Sequence, residues 1–285
     1  MEVLVYRGFL VYAQNTDTVD YVQQAYALAL SIKYSQIEIK NISIVTNDSI
    51  PENYKSVFDQ IIPIPYFNDT VNSFLKTEHR YQLYSATPYE ETIVLDSDML
   101  VLEDLTSWWN YCSNYDVKFC NKILNYKLEY VLEDTVHRQT FIANKLSSPY
   151  YALHYFKKSN FAKDFYKVLE FVCNNWEQCW TIFAPEKYQD WPSMDLATAI
   201  AIEITGSHEH IFDVNNPMEF VHMKSPIQGW ETAPEKWSDN VSTIITSKGQ
   251  LLVGNIKQPR VFHYVDKDFL TESMLLKLEE LSNGS

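Results

Sequence analysis

Two aspartates one residue apart, Asp96 and Asp98, close the apolar run Ile93-Val94-Leu95. Carboxylates at the end of a buried strand are partly desolvated and repel each other, so two ionised neighbours there require a cation. Hard oxygen donors suit Mg²⁺ or Mn²⁺, ions that keep coordination positions for water and phosphate oxygens. The plainer reading of the same three residues is a solvated acidic turn, and their place in the fold decides between the two. His263 follows Val261-Phe262, where a hydrogen-bonded core histidine is the ordinary reading; with the two aspartates and Lys267 in view it becomes the candidate metal-ligating histidine. His222, at the end of Phe220-Val221, is the main rival, ahead of His79, His137, His154, His208 and His210. Asp195 lies in Trp191-Pro192-Ser193-Met194-Asp195, at the start of a helix that Ser193 is positioned to cap, where its ordinary role is to complement the helix dipole.

The elements that must position these groups alternate. Phe9 to Ala13 reads as a strand, and Val22, Ala25, Leu28, Ala29 and Ile32 recur at helical spacing. Ile42 to Thr46 is a second strand, Pro51 to Asp59 a short helix, Gln60 to Pro63 a strand and Lys76 to Ala86 a helix closed by Pro88. Glu91 to Leu95 is then a strand buried on both faces. Such alternation predicts an α/β fold with a mostly parallel central sheet flanked by helices, and ligands bind at the strand ends of such sheets. The second half is more mixed. It reads as a strand at Tyr150 to Phe156, a helix through Phe161 and Val172 capped near Ser159, and a helix at Met194 to Ile204. Short strands follow at Ile211 to Val214, Glu219 to Met223, Ser242 to Thr246, Leu251 to Val253 and Val261 to Tyr264, before a closing helix with Met274, Leu275, Leu278 and Leu281. No repeat or low-complexity linker divides the 285 residues, and the two halves are expected to share one core.

Composition narrows the partners. A formal net charge of -14 argues against nucleic acid or an anionic membrane surface, both of which need a basic footprint. An anionic small ligand would need a bound cation or a few placed Lys and Arg residues to reverse the local sign. The longest apolar runs fall well short of the roughly 20 residues that span a bilayer. The first residues read as a strand rather than a signal peptide, so the expected location is cytoplasmic. Cys112, Cys120, Cys173 and Cys179 form no C-x-x-C pair and are expected to be reduced packing residues. The N-x-S/T matches at Asn41, Asn47, Asn68 and Asn240 would matter only in a secreted chain. Trp176, Trp180, Trp191, Trp230 and Trp237 concentrate in the second half; most are expected in the core, with one or two at a cleft rim.

The run from Lys76 through Arg80, Leu83 and Pro88-Tyr89 to Thr92-Ile93-Val94-Leu95-Asp96-Ser97-Asp98-Met99 resembles the helix-strand-D-x-D segment of GT-A glycosyltransferases, the glycogenin-like enzymes above all. Val11-Tyr12-Ala13-Gln14-Asn15 is similar to their first strand and nucleotide loop, and Val261-Phe262-His263-Tyr264-Val265-Asp266-Lys267 to their late H-x-x-x-K element. The resemblance implies one GT-A, Rossmann-like domain over residues 1–285. About 1–120 would be the nucleotide-binding half, and about 121–285 the smaller mixed or antiparallel part that meets the acceptor and carries the late metal ligand. It implies that Asp98 and His263 hold Mn²⁺ or Mg²⁺ and that Asp96, with Ser97 beside it, touches both metal and ribose. Lys267 would neutralise diphosphate charge, Asn15 and nearby backbone including Ala13 would meet the nucleobase, and Lys76 or Arg80 would line the ribose and phosphate side. Asp195 would stand beside the anomeric carbon. The glycine and the proline-tryptophan usual around that lysine are replaced here by Val265-Asp266 and Asp268-Phe269.

The implied activity is metal-dependent transfer of a sugar from a nucleotide diphosphate sugar, UDP-linked by preference, to a saccharide, lipid or protein hydroxyl, with retention at the anomeric carbon. Two rivals stand beside it. A phosphatase of the haloacid-dehalogenase type also uses D-x-D after a strand, but normally on the first strand and followed by Thr, where this chain has Leu100. A non-catalytic nucleotide-sugar or carbohydrate-binding protein of the same fold would keep the site without turnover.

Overall fold

The computed structural model describes residues 6–67, 79–131, 138–187 and 189–284. The chain begins in β1 (Arg7–Tyr12) and α1 (Tyr21–Ser35), whose first turn is capped by the Asp20 carboxylate accepting from the Gln23 amide at 3.0 Å. β2 (Ile42–Val45), a single turn α2 (Glu52–Lys55) and β3 (Gln60–Ile62) follow. Of the helix expected over 76–86, the described part is a tight turn at Arg80–Gln82 running into α3 (Leu83–Ala86); Lys76 lies outside the described residues. β4 (Glu91–Asp96) leads through the Ser97-Asp98 turn directly into β5 (Met99–Val101), then α4 (Thr106–Cys112), β6 (Val117–Cys120), β7 (Ile123–Leu124) and α5 (Gln139–Asn144).

β8 (Tyr150–Lys157) precedes α6 (Asn160–Asn174), capped by the Ser159 hydroxyl accepting from Ala162 N. α7 (Trp176–Phe183), α8 (Met194–Thr205) and α9 (His208–Ile211) come next. The strand expected at 211–214 is instead the end of α9 and a loop in which Asp213 accepts from Tyr111 and Tyr115; a helical turn buries Ile211 while Val214 points to solvent. β9 (Phe220–His222), β10 (Thr243–Ile245), β11 (Leu251–Val253), β12 (Ile256–Lys257), β13 (Val261–His263) and α10 (Glu272–Asn283) complete the chain.

The main sheet has the order β3-β2-β1-β4-β8-β6, parallel from β3 to β4, with β8 antiparallel to both of its neighbours. A second sheet, β5-β13-β9-β7, begins where β4 ends, and β10-β11-β12 form a small antiparallel sheet. The α/β fold class expected from sequence is therefore present, mostly parallel and flanked by helices. The single core is not: successive side chains of a strand face opposite ways, so a sheet covered on both faces makes two cores. Phe9, Val11, Ile93 and Leu95 pack with α1 and α10, while Leu10, Tyr12 and Val94 pack with α6, α7 and α8. Both halves of the chain contribute to each. Gly8 is required by packing, since a Cβ there would stand 2.3 Å from the Tyr89 ring. All four cysteines are free, and burial pushes the Cys112 and Cys120 thiols up to about 12.

His154, on β8, is fully buried, stacks on Phe119 at 4.8 Å and donates from Nδ1 to the Tyr151 carbonyl at 2.8 Å. Its Nε2 is buried without a hydrogen-bond partner among the described residues. Burial lowers its pKa to about 3, so the folded state holds it neutral while the unfolded chain protonates near pH 6.5. The stabilisation is complete above pH 6.5 and is lost as pH falls from there toward 3. Between pH 7 and 5 the wild type should lose about 2 kcal/mol more unfolding free energy than His154→Asn, measured by urea titration; equal losses would contradict the buried neutral ring.

Candidate active site

The two aspartates sit where the chain changes sheets. β4 runs parallel to β1 with Asp96 opposite Tyr12; three residues later β5 pairs antiparallel with β13, setting Met99 opposite His263. The Tyr264 amide donates to the Asp98 carbonyl at 3.2 Å and extends that ladder to the turn. His263 Nε2 consequently lies 3.0 Å from Asp98 Oδ2. Asp96, Asp98 and His263 bring ligand atoms within 4.8 Å of one another.

Around them is a set of counter-charges. Lys267 donates to Asp98 and lies 5.4 Å from the Tyr21 ring; Arg80, itself buried, donates to Asp96 and lies 5.3 Å from the Tyr151 ring. Burial alone would raise the Asp98 pKa, but His263 and Lys267 outweigh it and hold the carboxyl well below its usual range. Burial would lower Lys267 and Arg80, yet Asp98 and Asp96 respectively hold both up. Lys267 reaches back because the backbone turns sharply after β13. Val265 has φ 60°, a left-handed conformation that favours glycine and is rare for a β-branched residue. The sequence has thus lost the expected glycine while the chain keeps a glycine-like bend. Asp266 anchors it, accepting from Ser238 Oγ at 2.5 Å and capping the next turn through Asp268 N.

A cleft of about 450 Å³ opens from this cluster. Asp96, Ser97, Asp98, Arg80, His263 and Lys267 line one end. Tyr12 and Gln14 line it as well, rather than Ala13 and Asn15. Alternation along β1 explains this: Ala13 faces the α1 core, its amide bonded to Val45 O. Asn15 accepts from Val22 N at 3.0 Å, at the start of α1, while its own amide donates to Asp48. The rival His222 pairs with His263 across β9 and β13, ring centroids 4.8 Å apart, and lines the cleft without joining the group of three. Of the tryptophans, Trp191 reaches the cleft wall; Trp176, Trp180 and Trp237 are buried.

Asp195 also faces the cleft, but it is held by tertiary contacts. Its Oδ1 accepts from Tyr151 N at 2.7 Å and its Oδ2 lies 3.1 Å from Arg138 Nη2. Ser193 occupies the cap position of α8 without a side-chain cap bond. Arg138 carries no motif, and only its buried position on the Tyr150 ring, 3.5 Å from the centroid, reveals it.

The donor set fits a divalent cation. Two carboxylates and an imidazole converge with compatible spacing, and His263 Nδ1 is buried with no hydrogen-bond partner among the described residues. Asp96, Asp98 and His263 are the residues that would hold it.

No family model matches the chain, and no curated protein matches it in sequence. Solved structures do. The chain is similar to the galactosyltransferase LgtC, solved in complex with donor and acceptor sugar analogs, with a TM-score of 0.54 and 14% identity over 97% of this chain and 95% of that one. It is also similar to the bifunctional glycosyltransferase WbbM in its apo form, with a TM-score of 0.53 and 12% identity over 98% of this chain and 50% of that one. The fold is the GT-A fold, a likeness carried by architecture and not by sequence.

Removing Asp98 strips Lys267 and His263 of their shared counter-charge in a buried setting. In EDTA, Asp98→Ala should lose about 3 kcal/mol of unfolding free energy. Urea titration of both proteins checks it, and a variant as stable as the wild type would contradict the compensated-charge reading.

Proposed function

We propose that this chain is a metal-dependent glycosyltransferase that moves a sugar from a nucleotide diphosphate sugar, UDP-linked by preference, to a hydroxyl acceptor with retention of anomeric configuration. The observation that carries the reading is the convergence of Asp96, Asp98 and His263 with two cations, Arg80 and Lys267, at one end of a cleft of the GT-A fold. A chain of net charge -14 concentrates positive side chains there, as an anionic leaving group demands.

Asp96, Asp98 and His263 would hold a divalent ion, which would supply Lewis-acid stabilisation of the negative charge on the leaving group. Lys267 and Arg80, already fixed by their carboxylate partners, add preorganised positive charge on the same side. Tyr12 and Gln14, joined by a 2.9 Å hydrogen bond, form the adjacent wall and are the side chains best placed to meet the nucleoside. Asp195 is held by Arg138 and Tyr151 N, so its carboxylate enters the cleft in one orientation, suited to stabilising positive charge on the sugar or to holding its hydroxyls. In a front-side reaction the leaving phosphate takes the acceptor proton, so no separate base is required. Trp191 offers an aromatic surface for a sugar ring at the wall.

A panel of nucleotide sugars assayed with Mn²⁺ and saccharide acceptors tests this directly. His263→Ala and Asp98→Ala should each lower transfer about 100-fold or more, and NMR of the product should show the donor's anomeric configuration. Nucleotide binding with no donor turnover under any condition would favour a binding protein, and an inverted product would remove the retaining mechanism.

A further inference from the structure

The charges along the cleft do not cancel. At the end already described, Arg80 and Lys267 match Asp96 and Asp98 one for one. A divalent ion added there would face the two negative charges of a sugar nucleotide's diphosphate, so that end closes in charge when loaded. The other end does not. Arg138 and Asp195 neutralise each other at 3.1 Å, and both are occupied further: Arg138 Nη1 donates to Pro149 O at 3.1 Å and Asp195 Oδ1 accepts from Tyr151 N. Lys224, two residues after β9, lines the same cleft. No carboxylate among the described residues comes within ion-pair distance of it; its strongest charged influences are Asp195, attractive, and Arg138, repulsive. Among the described residues, one ammonium is therefore without a carboxylate partner beside Arg138 and Asp195, in a protein whose overall composition is strongly acidic.

A leftover cation in a concave site is costly without a ligand, because partial desolvation disfavours its charge. Lys224 shows this. Desolvation lowers its pKa, Asp195 raises it again only in part, and Arg138 lowers it further. Lys224 remains open to water in the cleft, so a small ligand can reach it. The rest of the wall suits a sugar: Trp191 is apolar and aromatic, while Gln189 and Gln228 carry amides.

We infer that the Lys224 end of the cleft receives a carboxylate carried by a sugar, so that one substrate of this protein is an acidic saccharide of the uronic-acid type. The inference rests on the glycosyl-transfer reading for the identity of the substrates, and the carboxylate can belong to the donor sugar or to the acceptor.

Calorimetric titration with two matched pairs tests it. UDP-glucose is compared with UDP-glucuronate in the presence of Mn²⁺, and methyl β-glucoside with methyl β-glucuronide in the presence of Mn²⁺ and UDP. The proteins are the wild type, Lys224→Gln and Lys224→Arg, each checked for native folding by circular dichroism. The acidic member of one pair should bind about tenfold tighter to the wild type, the increment of one charge-assisted contact. Lys224→Gln should abolish the preference and Lys224→Arg should keep it, and the pair that responds identifies donor or acceptor. Equal binding within both pairs, or a preference that survives in Lys224→Gln, overturns the inference. Binding of Mn²⁺ and UDP without an acid preference overturns it alone. An acid preference without UDP binding supports it while removing the nucleotide-sugar reading, and the absence of both removes both.

Discussion

Two carboxylates that cannot both be ionised in a buried turn unless positive charge surrounds them form the constraint on which this structure depends. Asp96 and Asp98 stand at the point where β4 leaves the main sheet and β5 begins the second one. Desolvation there works against the charged form of Asp98, and the fold answers with His263 and Lys267 from β13 and the turn after it. Arg80, ahead of β4 in the chain, answers for Asp96. Residues separated by more than 160 positions are thus brought together by one short antiparallel ladder. Loss of that register would leave both carboxylates without their partners, so the β5–β13 pairing serves electrostatics as much as packing.

The same logic explains how an acidic protein can hold an anion. Net charge sets the field far from the molecule, but within a cleft a few fixed cations decide the sign. Among the described residues, Arg80, Arg138, Lys224 and Lys267 are placed there against three carboxylates. Each pairing restricts a side chain that would otherwise be mobile, and stacking over Tyr151, Tyr150 and Tyr21 restricts three of the four cations further. The aromatic content of the chain is therefore used in two ways: Trp108, Trp109 and Trp237 fill the α1 core, and the tyrosines frame charge.

The first half of the chain was readable because its periodicities are clean. The apolar run through β4, the alternation of strand and helix, and the acidic pair at a strand end all leave local marks, and these led to the cleft. The change of sheet after Asp98 leaves none: Met99-Leu100-Val101 continues the apolar run, and nothing in the order of residues says that it pairs with β13. α4 was missed because Trp108 and Trp109 carry no cap signal, and its Leu105 cap position offers no side-chain hydrogen bond. For Asp195 the sequence offers two readings, a partner of the helix dipole and a carboxylate beside the anomeric carbon; its ion pair with Arg138, 57 positions earlier, leaves no local mark. Lys224 leaves no mark in the order of residues, since it stands out only by having no carboxylate partner among the described residues. Alternation along β1 adds Tyr12 and Gln14 to the cleft wall, beside Ala13 and Asn15, to which the resemblance assigned the nucleobase contact through Asn15 and nearby backbone.

The central claim is that Asp96, Asp98 and His263 form one divalent-cation site completed by a nucleoside diphosphate. Electron paramagnetic resonance of Mn²⁺ measures this most directly, because the free ion's six-line signal is lost on binding. With equimolar protein the signal should fall in the wild type, fall further when UDP is added, and persist in His263→Ala under both conditions. An unchanged signal in the wild type with UDP present, or equal loss in His263→Ala, would contradict the account.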